Sequence, residues 1–325
     1  MPSAFPLLPL LLMSLLACGH PLAEERATGD LRTESQRLAL TTCEVPGSSA
    51  VVRLAATRDG VVFAVAGSEG KGVELERHAG LGCDLHRDRS PQVAVGALLD
   101  ADDHGNLYAF PRASSAPGVV STLLEKGSAE GMVVKVDASG QVSKLVSAGR
   151  GIWSFGVSAE GGSFWVTSCG PTGIFSTASQ PLEPAIESPQ TLWAQRPSVL
   201  TGDRTLWSVG VRTCGWGEQL SPSCGFALVR TTSEGSRDVG TTVVDVGAGF
   251  EEAKLARCGK QVCGILSSAV LVWDDGGRVV QTIRPSDFPM FDSERIAQIS
   301  GNAHGVYFLL NGRAGTRVVF VPFDA

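Results

Sequence analysis

Short apolar runs that follow polar turns recur along the chain. One copy is D-D-H-G-N-L-Y-A-F, which ends at Phe110, and another is N-A-H-G-V-Y-F-L-L, which ends at Leu310. A polar turn before a short alternating run predicts a β-strand that is entered through a tight turn. The copies share a large apolar residue, or once a cysteine, at one fixed place after the turn: Phe63, Tyr108, Phe164, Trp207, Cys263 and Phe308.

Further apolar runs complete each copy. Residues 51–55 and 93–99 precede two of the turns, while 132–145 and 269–283 each hold two more runs around a Gly turn. Four short antiparallel strands in roughly 40–50 residues are typical of a β-propeller blade. One blade cannot bury both of its faces, so the copies predict one all-β domain over residues 37–325, a six-bladed β-propeller with four-stranded antiparallel blades.

The last copy predicts only three strands, near 295–299, 304–310 and 316–322, before the sequence ends. We expect the apolar run 38–45 to supply the missing fourth strand. Such a closure by an N-terminal strand would cover strand edges that otherwise invite aggregation.

The phrase D-x-x-G-N-L-Y, which ends at Tyr108, resembles the blades of NHL and gluconolactonase-type propellers. The resemblance implies the same architecture over roughly residues 37–325. Gluconolactonase-type enzymes hold a metal in the central channel through a Glu, two Asn and an Asp. The three asparagines of this chain are Asn106, Asn302 and Asn311. We assign none of them as a metal ligand, and we predict no catalytic residue, no metal and no cofactor.

The same stretch also has part of a calcium-loop pattern, because Asp100, Asp102 and Gly105 fall at positions 1, 3 and 6. An EF-hand loop needs a Glu at position 12 and helices on both sides. Position 12 is Pro111, and the flanking runs predict strands. We therefore interpret these residues as turn chemistry, for which Asp and Gly are well suited.

The N-terminus predicts export. Residues 5–17 are uncharged and almost wholly apolar, which is the length of a signal-peptide core and too short for a membrane-spanning helix. The sequence L-L-A-C that ends at Cys18 resembles the bacterial lipobox. We predict a lipoprotein signal peptide at 1–17, lipid attachment at Cys18 and a polar, flexible tether at 18–36. The alternative is an ordinary secretory signal that is cleaved elsewhere.

These features predict a protein of the bacterial cell envelope that contacts the membrane through its N-terminal lipid only. Gly19 after the lipidated cysteine favours the outer membrane over the inner one. The net charge is -6, and no basic block occurs, which argues against a nucleic-acid partner.

Eight cysteines agree with an oxidising compartment. Cys258 and Cys263 flank a predicted hairpin turn, and Cys214 and Cys224 bracket a Gly-, Pro- and Ser-rich stretch. Cys43 and Cys83 then pair by elimination, which leaves Cys169 unpaired. No C-x2-C spacing occurs, so a zinc site is not predicted.

Long loops on one face of the predicted propeller are the candidate binding elements, among them 212–224. The side chains that we single out for partner binding are Trp216, Arg212, Trp193, Arg284 and Phe288. Trp and Arg are common anchors at interfaces, although a Trp in such a loop can equally pack over a blade edge. We predict a non-catalytic module that binds a protein or glycan partner or serves as a scaffold. The alternative is a propeller-class hydrolase or lyase that uses the central channel.

Overall fold

The computed structural model describes residues 43–45, 50–67, 72–88, 93–111, 132–147, 152–168, 173–178, 184–186, 198–202, 205–216, 222–232, 235–245, 254–265, 270–283 and 294–323. These residues form strands and turns, with almost no helix. The protein is therefore all-β in this part of the chain, as the turn-and-strand pattern predicts.

The strands form five hydrogen-bonded sheets within the described residues, one of which has eight strands. The eight-stranded sheet contains two antiparallel sets that are joined only by a short parallel contact between Cys258 and Gly301. We therefore describe the strands as six units. The chain enters at β1 (Cys43–Glu44), which belongs to unit six. Unit one contains β2 (Val51–Thr57), β3 (Gly60–Ala66), β4 (Val73–Ala79), β5 (His86–Arg87) and β6 (Val93–Val95). Unit two contains β7 (Ala97–Ala101), β8 (Leu107–Phe110), β9 (Met132–Val136) and β10 (Val142–Ser147). Unit three contains β11 (Ile152–Val157), β12 (Ser163–Ser168), β13 (Gly173–Ser176) and β14 (Pro184–Ile186).

The second half of the chain follows the same plan. Unit four contains β15 (Ser198–Thr201), β16 (Thr205–Trp216), β17 (Pro222–Thr232) and β18 (Gly235–Asp245). Unit five contains β19 (Lys254–Cys258), β20 (Gln261–Ile265), β21 (Val270–Trp273) and β22 (Val279–Ile283). Unit six contains β23 (Arg295–Asn302), β24 (Gly305–Gly312), β25 (Gly315–Pro322) and β1.

Each unit is an antiparallel meander whose first strand is innermost. The first strands contact one another in sequence order, β2 with β7, β7 with β11, β11 with β15, β15 with β19 and β19 with β23. β23 also contacts β2. Four-stranded antiparallel sheets that meet along their first strands have the architecture of a β-propeller.

The hydrophobic cores lie between adjacent units. One core joins Val62 of unit one to Leu98 and Val134 of unit two, and another joins Phe63 of unit one to Tyr307 of unit six. The repeated large residues identified in the sequence are all at most 1% exposed: Phe63, Tyr108, Phe164, Trp207, Cys263 and Phe308. Full burial of such a side chain stabilises a fold by roughly 1.5–3 kcal/mol, so the repeat marks the main packing positions.

The N-terminal strand is short where the structure describes it. Cys43 and Glu44 pair antiparallel with Phe320 and Val319 of β25, and the Val45 N–H donates to the Val318 carbonyl. The earlier part of the predicted strand, residues 38–42, lies outside the described residues.

The prediction of a long loop over residues 212–224 is wrong for most of that stretch. β16 continues to Trp216 and β17 begins at Pro222, so only residues 217–221 separate the two strands. Pairing with β17 extends the strand past the Gly and Ser residues that suggested a loop, because a ladder neighbour can override local propensity.

Candidate functional site

Bulges in the first strands determine which side chains face the next unit. The register shifts at Val52 in β2, at Leu99 in β7 and at Ala297 in β23. A β-bulge redirects the side chain that follows it. The residues after these three bulges are Arg53, Asp100 and Gln298, and we call them the post-bulge residues.

Each post-bulge residue bonds to the first strand of the following unit. Arg53 Nη2 donates to the Leu99 carbonyl at 3.2 Å, which links unit one to unit two. Asp100 Oδ2 accepts from the Val157 N–H at 2.8 Å, which links unit two to unit three.

Gln298 links unit six to unit one. Its Oε1 accepts from the Leu54 N–H at 3.0 Å, and its Nε2 donates to the Leu54 carbonyl at 2.8 Å. Farther along β23, Ser300 Oγ accepts from the Ala56 N–H at 2.9 Å, and Asn302 Nδ2 donates to the Thr57 carbonyl at 3.1 Å. We call this set of contacts the β23–β2 seam.

An arginine from unit five joins the charged part of this inner surface. Arg257 Nη1 donates to Asp103 Oδ1 at 2.5 Å, and Nη2 donates to the Ala101 carbonyl at 2.9 Å. The two side chains are only 7% and 16% exposed. β19 contacts β15 and β23, whereas β7 contacts β2 and β11, so Arg257 reaches a unit that does not adjoin its own.

Arg53, Asp100, Asp103 and Arg257 form what we call the central cluster. Burial raises the pKa of Asp100, while the charges of Arg257 and Arg53 and the N–H groups of Val157 and Ala101 oppose that rise. Burial lowers the pKa of Arg53, against the charge of Asp100. Arg53 is nevertheless an exposed residue.

The central cluster consists of two cations and two carboxylic acids. Both Asp100 oxygens accept backbone N–H groups, since Oδ1 takes the Ala101 N–H at 2.8 Å. Asp103 is engaged by Arg257. These oxygens are committed to the fold. Within the described residues, Arg53 makes one side-chain hydrogen bond, and its guanidinium carries five N–H donors.

The turn between β7 and β8 contains the residues that partly match a calcium loop, and its Asp102 has a structural role. Asp102 is 0% exposed. Its Oδ1 accepts from the His104 and Asn106 N–H groups, and its Oδ2 accepts from Asn106 Nδ2 and the Tyr108 hydroxyl. Burial, followed by the charge of Asp102, raises the pKa of Tyr108. This carboxylate therefore holds the turn and the second strand together.

Unit four carries a sheet that extends beyond its inner strand. β15 has 4 residues and pairs with residues 205–208 of β16, whereas β16 has 12 residues and β17 and β18 have 11 each. Residues 209–216, 222–228 and 240–245 form this three-stranded part, which we call the unit-four extension.

The predicted binding residues fall partly on the unit-four extension. Arg212 and Trp216 lie in β16, and their side chains are outside the described part of the structure. Trp193, Arg284, Phe288 and the lipidation site Cys18 lie outside the described residues altogether.

Two of the predicted disulfides are present. Cys43 is bonded to Cys83, which ties β1 to the connection between β4 and β5, and Cys258 is bonded to Cys263 across the β19–β20 hairpin. Cys214 lies directly opposite Cys224 in the β16–β17 ladder, and their bond stays a prediction. Cys169 is outside the described residues.

Sequence reasoning missed the post-bulge residues and Arg257. A usable signal exists in three of these cases, because Arg53, Asp100 and Gln298 each interrupt the apolar run of a first strand: V-V-R-L-A, A-L-L-D-A and I-A-Q-I-S. Arg257 also follows an apolar pair, but nothing in the sequence indicates its partner in unit two.

Two further observations concern the described residues only. No group of three or more His, Cys, Asp or Glu side chains there is placed to hold a metal ion. No helix in that part of the chain is long and apolar enough to cross a bilayer.

Comparisons with known proteins give a likeness in fold alone. No protein-family model matches the chain, and no curated protein matches it in sequence. Among solved structures, the chain is similar to the β-propeller domain of Myceliophteria thermophila Cps50 (Swd1), with 10% sequence identity and a TM-score of 0.46. That match covers 87% of this chain and 100% of the other. The propeller architecture rests here on the strand pairing of the described residues.

Proposed function

We propose that the protein is an envelope-anchored bacterial lipoprotein whose six-bladed β-propeller binds a protein or glycan partner without catalysis. The unit-four extension is the observation that carries the binding role. It lengthens three neighbouring strands on the side of the β16–β17 connection and carries Arg212 and Trp216. Side chains on a rigid sheet lose less conformational freedom on binding than side chains on a loop.

Six blades and a closed ring are supported by contacts at both ends of the chain. The first strands contact one another in order, and β23 contacts β2. β1 pairs with β25, the Cys43–Cys83 disulfide ties β1 to unit one, and the β23–β2 seam joins the first strands of the same two units. In this closure, β1 covers the edge of β25 that would otherwise lie open.

The hydrogen bonding of the central carboxylates supports a binding role more than a catalytic one. The carboxylates of Asp100 and Asp103 are engaged by backbone N–H groups and by Arg257. A general base needs a free lone pair within reach of a substrate proton. The described groups of the central cluster are instead arranged to hold the units together.

The binding proposal is tested by substitution on the unit-four extension. We expect Trp216→Ala and Arg212→Ala to weaken partner capture from cross-linked cell envelopes and glycan binding on an array, while the exposed Val280→Ala on β22 changes neither. Equal capture by all four proteins, including wild type, would place the partner surface elsewhere. Thermal unfolding of each variant shows whether the fold is retained.

The lipid anchor is tested separately by mass spectrometry of the native N-terminus. We expect cleavage before Cys18 and a mass increase from the attached acyl chains. An N-terminus cleaved elsewhere, with an unmodified thiol, would support secretion without an anchor.

A hydrolase or lyase in the central space is the second candidate, and Arg53 is the observation that favours it. The guanidinium could hold an anionic substrate beside Asp100, whose raised pKa suits a proton donor. Arg53→Gln and Asp100→Asn should each abolish such turnover. Turnover of sugar lactones or uronate-containing glycans that survives both substitutions would exclude this site.

A further inference from the structure

The first strands of the six units become more buried from their beginnings to their ends. β19 and β23 begin at Lys254 and Arg295, which are at least partly exposed, and Val52 near the start of β2 is 52% exposed. Five of the six first strands end on a buried residue: Ala101, Val157, Thr201, Cys258 and Asn302. β19 and β23 run parallel where they pair. First strands surround the channel of a propeller, so solvent reaches this channel where they begin, at what we call the open end.

An ion pair crosses the channel where the first strands finish, which we call the turn end. Arg257 of unit five donates to the Asp103 carboxylate and to the Ala101 carbonyl of unit two. In the proposed six-bladed ring, two other units separate these units in either direction, so the arginine spans the axis. The Asp103 N–H also donates to the Ala159 carbonyl of unit three at 2.8 Å. These contacts obstruct the turn end, so a solute would enter the channel through the open end.

Basic residues are concentrated on the first strands, although the net charge of the chain is -6. The first strands as the structure describes them contain four basic residues: Arg53, Lys254, Arg257 and Arg295. In the same strands Asp100 is the single carboxylic acid, and both of its oxygens already accept backbone N–H groups. Arg257 is paired with Asp103 at the turn end. The remaining cations make the open end attractive to an anion.

Arg53 is the cation that is best placed to bind such an anion. It is an exposed residue near the start of β2, and its Nη2 donates to the Leu99 carbonyl at 3.2 Å. A guanidinium presents its N–H donors in a planar fork that matches a carboxylate or a phosphate. The charge of Asp100 raises the pKa of Arg53 against the effect of burial, so the two side chains lie near each other.

A glycine leaves space beside Asp100. A Cβ at Gly156 of β11 would lie 3.8 Å from Asp100 Oδ2, 3.8 Å from the Leu200 nitrogen and 4.0 Å from the Ser198 oxygen. These are ordinary van der Waals distances, and the φ of Gly156 is outside the left-handed region. At Gly301, by contrast, an added Cβ would collide with the neighbouring strand. A glycine within a strand weakens it and often marks the close approach of a ligand.

From these observations we propose that the central channel binds a small anionic solute, which carries a carboxylate or phosphate group and is held by Arg53 beside Gly156. The solute enters through the open end, and the Arg257–Asp103 pair blocks its passage at the turn end. This inference rests on the proposed six-bladed ring, but it involves none of the residues assigned to partner binding. It requires no turnover, so an anion that binds without being converted separates it from the hydrolase or lyase candidate.

Isothermal titration of the full-length protein in detergent, at low ionic strength, tests the proposal with galacturonate and inorganic phosphate as separate probes. We expect wild type to bind at least one of them, to bind it more weakly as salt is added, and not to bind neutral galactose. Arg53→Gln should weaken the binding about tenfold or more, because a charged hydrogen-bond donor is lost. Arg58→Gln, at the exposed turn that follows β2, is the matched control and should bind as wild type does.

A second pair of variants tests the space beside Asp100 without changing any charge. Gly156→Leu should fill that space and abolish binding of the probe. Gly162→Leu is the matched control and should leave binding unchanged, because an added Cβ at Gly162 has nothing within 4 Å. Thermal unfolding of each variant shows whether the fold is retained.

Three outcomes would overturn the proposal. Wild type that binds neither probe means that the channel has no such anion site. Equal binding by Arg53→Gln and wild type means that another cation holds the anion. Binding that a folded Gly156→Leu retains means that the anion lies elsewhere. Each of these results leaves partner binding at the unit-four extension unaffected, because that function is measured through Trp216 and Arg212.

Discussion

Units two and six place different side chains at the same structural position. Asp100 and Gln298 both follow a bulge in a first strand, and both bond to the backbone of the next unit. Gln298 is neutral and supplies one donor and one acceptor, so it imitates a ladder partner of Leu54. Asp100 is an acceptor only when ionised, and it depends on Arg257 and Arg53 to offset its charge.

The comparison separates two ways of joining sheets. A neutral pair of hydrogen bonds has a small desolvation cost and is insensitive to pH. A desolvated carboxylate has a large desolvation cost that its partners must offset, so its contribution depends on those partners and on its protonation. The β23–β2 seam joins residues 244 or more positions apart, and neutral side chains hold it over the whole pH range of the folded protein.

Removal of Arg257 should lower the stability of the fold most, because Arg257 is the cation that pairs with Asp103 and offsets the charge of Asp100. Arg257→Met leaves Asp103 without its partner and Asp100 with less compensation. Breaking a buried pair from one side costs about 3–5 kcal/mol. Denaturant unfolding measures the loss, and the double variant Arg257→Met with Asp103→Asn should recover part of it. A stability equal to wild type would show that the pair contributes nothing to the fold.

Removal of the Cys43–Cys83 disulfide tests a covalent link between units six and one, which the neutral seam also joins. The cysteines are 40 residues apart, compared with 5 for Cys258 and Cys263. A longer closed loop restricts the unfolded chain more. The double variant Cys43→Ala with Cys83→Ala should therefore lower the free energy of unfolding by about 2–4 kcal/mol. This loss should exceed the chain-entropy loss on removal of the Cys258–Cys263 disulfide. The comparison is made by denaturant unfolding of both double variants under oxidising conditions. A cost that is smaller for the longer loop would contradict this ordering of chain entropies.

Substitution of Gln298 tests the neutral hydrogen bonds of the β23–β2 seam directly. Gln298→Leu leaves both backbone groups of Leu54 unpaired at a part-buried site, which costs about 1–3 kcal/mol. Gln281→Leu on the outer strand β22 is the matched control and should cost less. If the two substitutions were equally costly, the contact between Gln298 and Leu54 would not explain the loss.

The smallest expected effect is a change of pH dependence at Asp100. Burial raises the pKa of this carboxyl above its ordinary 3.8, so the folded state holds its proton more tightly than the unfolded chain does. Its contribution to stability is present at pH values below 3.8 and is lost as the pH rises through the raised pKa. Wild type should therefore gain stability over Asp100→Asn as the pH falls towards that range, while Gln298→Leu keeps a constant difference from wild type. Parallel unfolding profiles for wild type and Asp100→Asn would refute the assignment.

The sequence alone predicts the strand pattern well and the contacts between units poorly. The repeat positions from Phe63 to Phe308 follow from an alternation that any buried strand must show, and all of them are buried. The bulges at Val52, Leu99 and Ala297 follow from how each strand meets its neighbour, so no local pattern marks them. The partnership of Arg257 with Asp103 joins residues 154 positions apart, and it depends on the tertiary arrangement.

The binding residues illustrate a second limit of local patterns. G-W-G and S-P-S around Trp216 and Cys224 have the composition of a loop. In the structure, β16 and β17 continue through most of that stretch, and β18 supports β17 from its other side as far as Asp245. Ladder bonds from a neighbouring strand outweigh turn propensity there, and a single segment does not reveal that its neighbours are long.

The reach of Arg257 also bears on how such a chain can change during evolution. Propellers are built from similar modules, and duplication or loss of a module would alter which sheet faces unit five. Arg257 and Asp103 meet only while their two modules keep their present separation around the axis. A lineage that gained or lost a module between them would separate the two side chains. The ion pair therefore ties the sequence to its present number of modules.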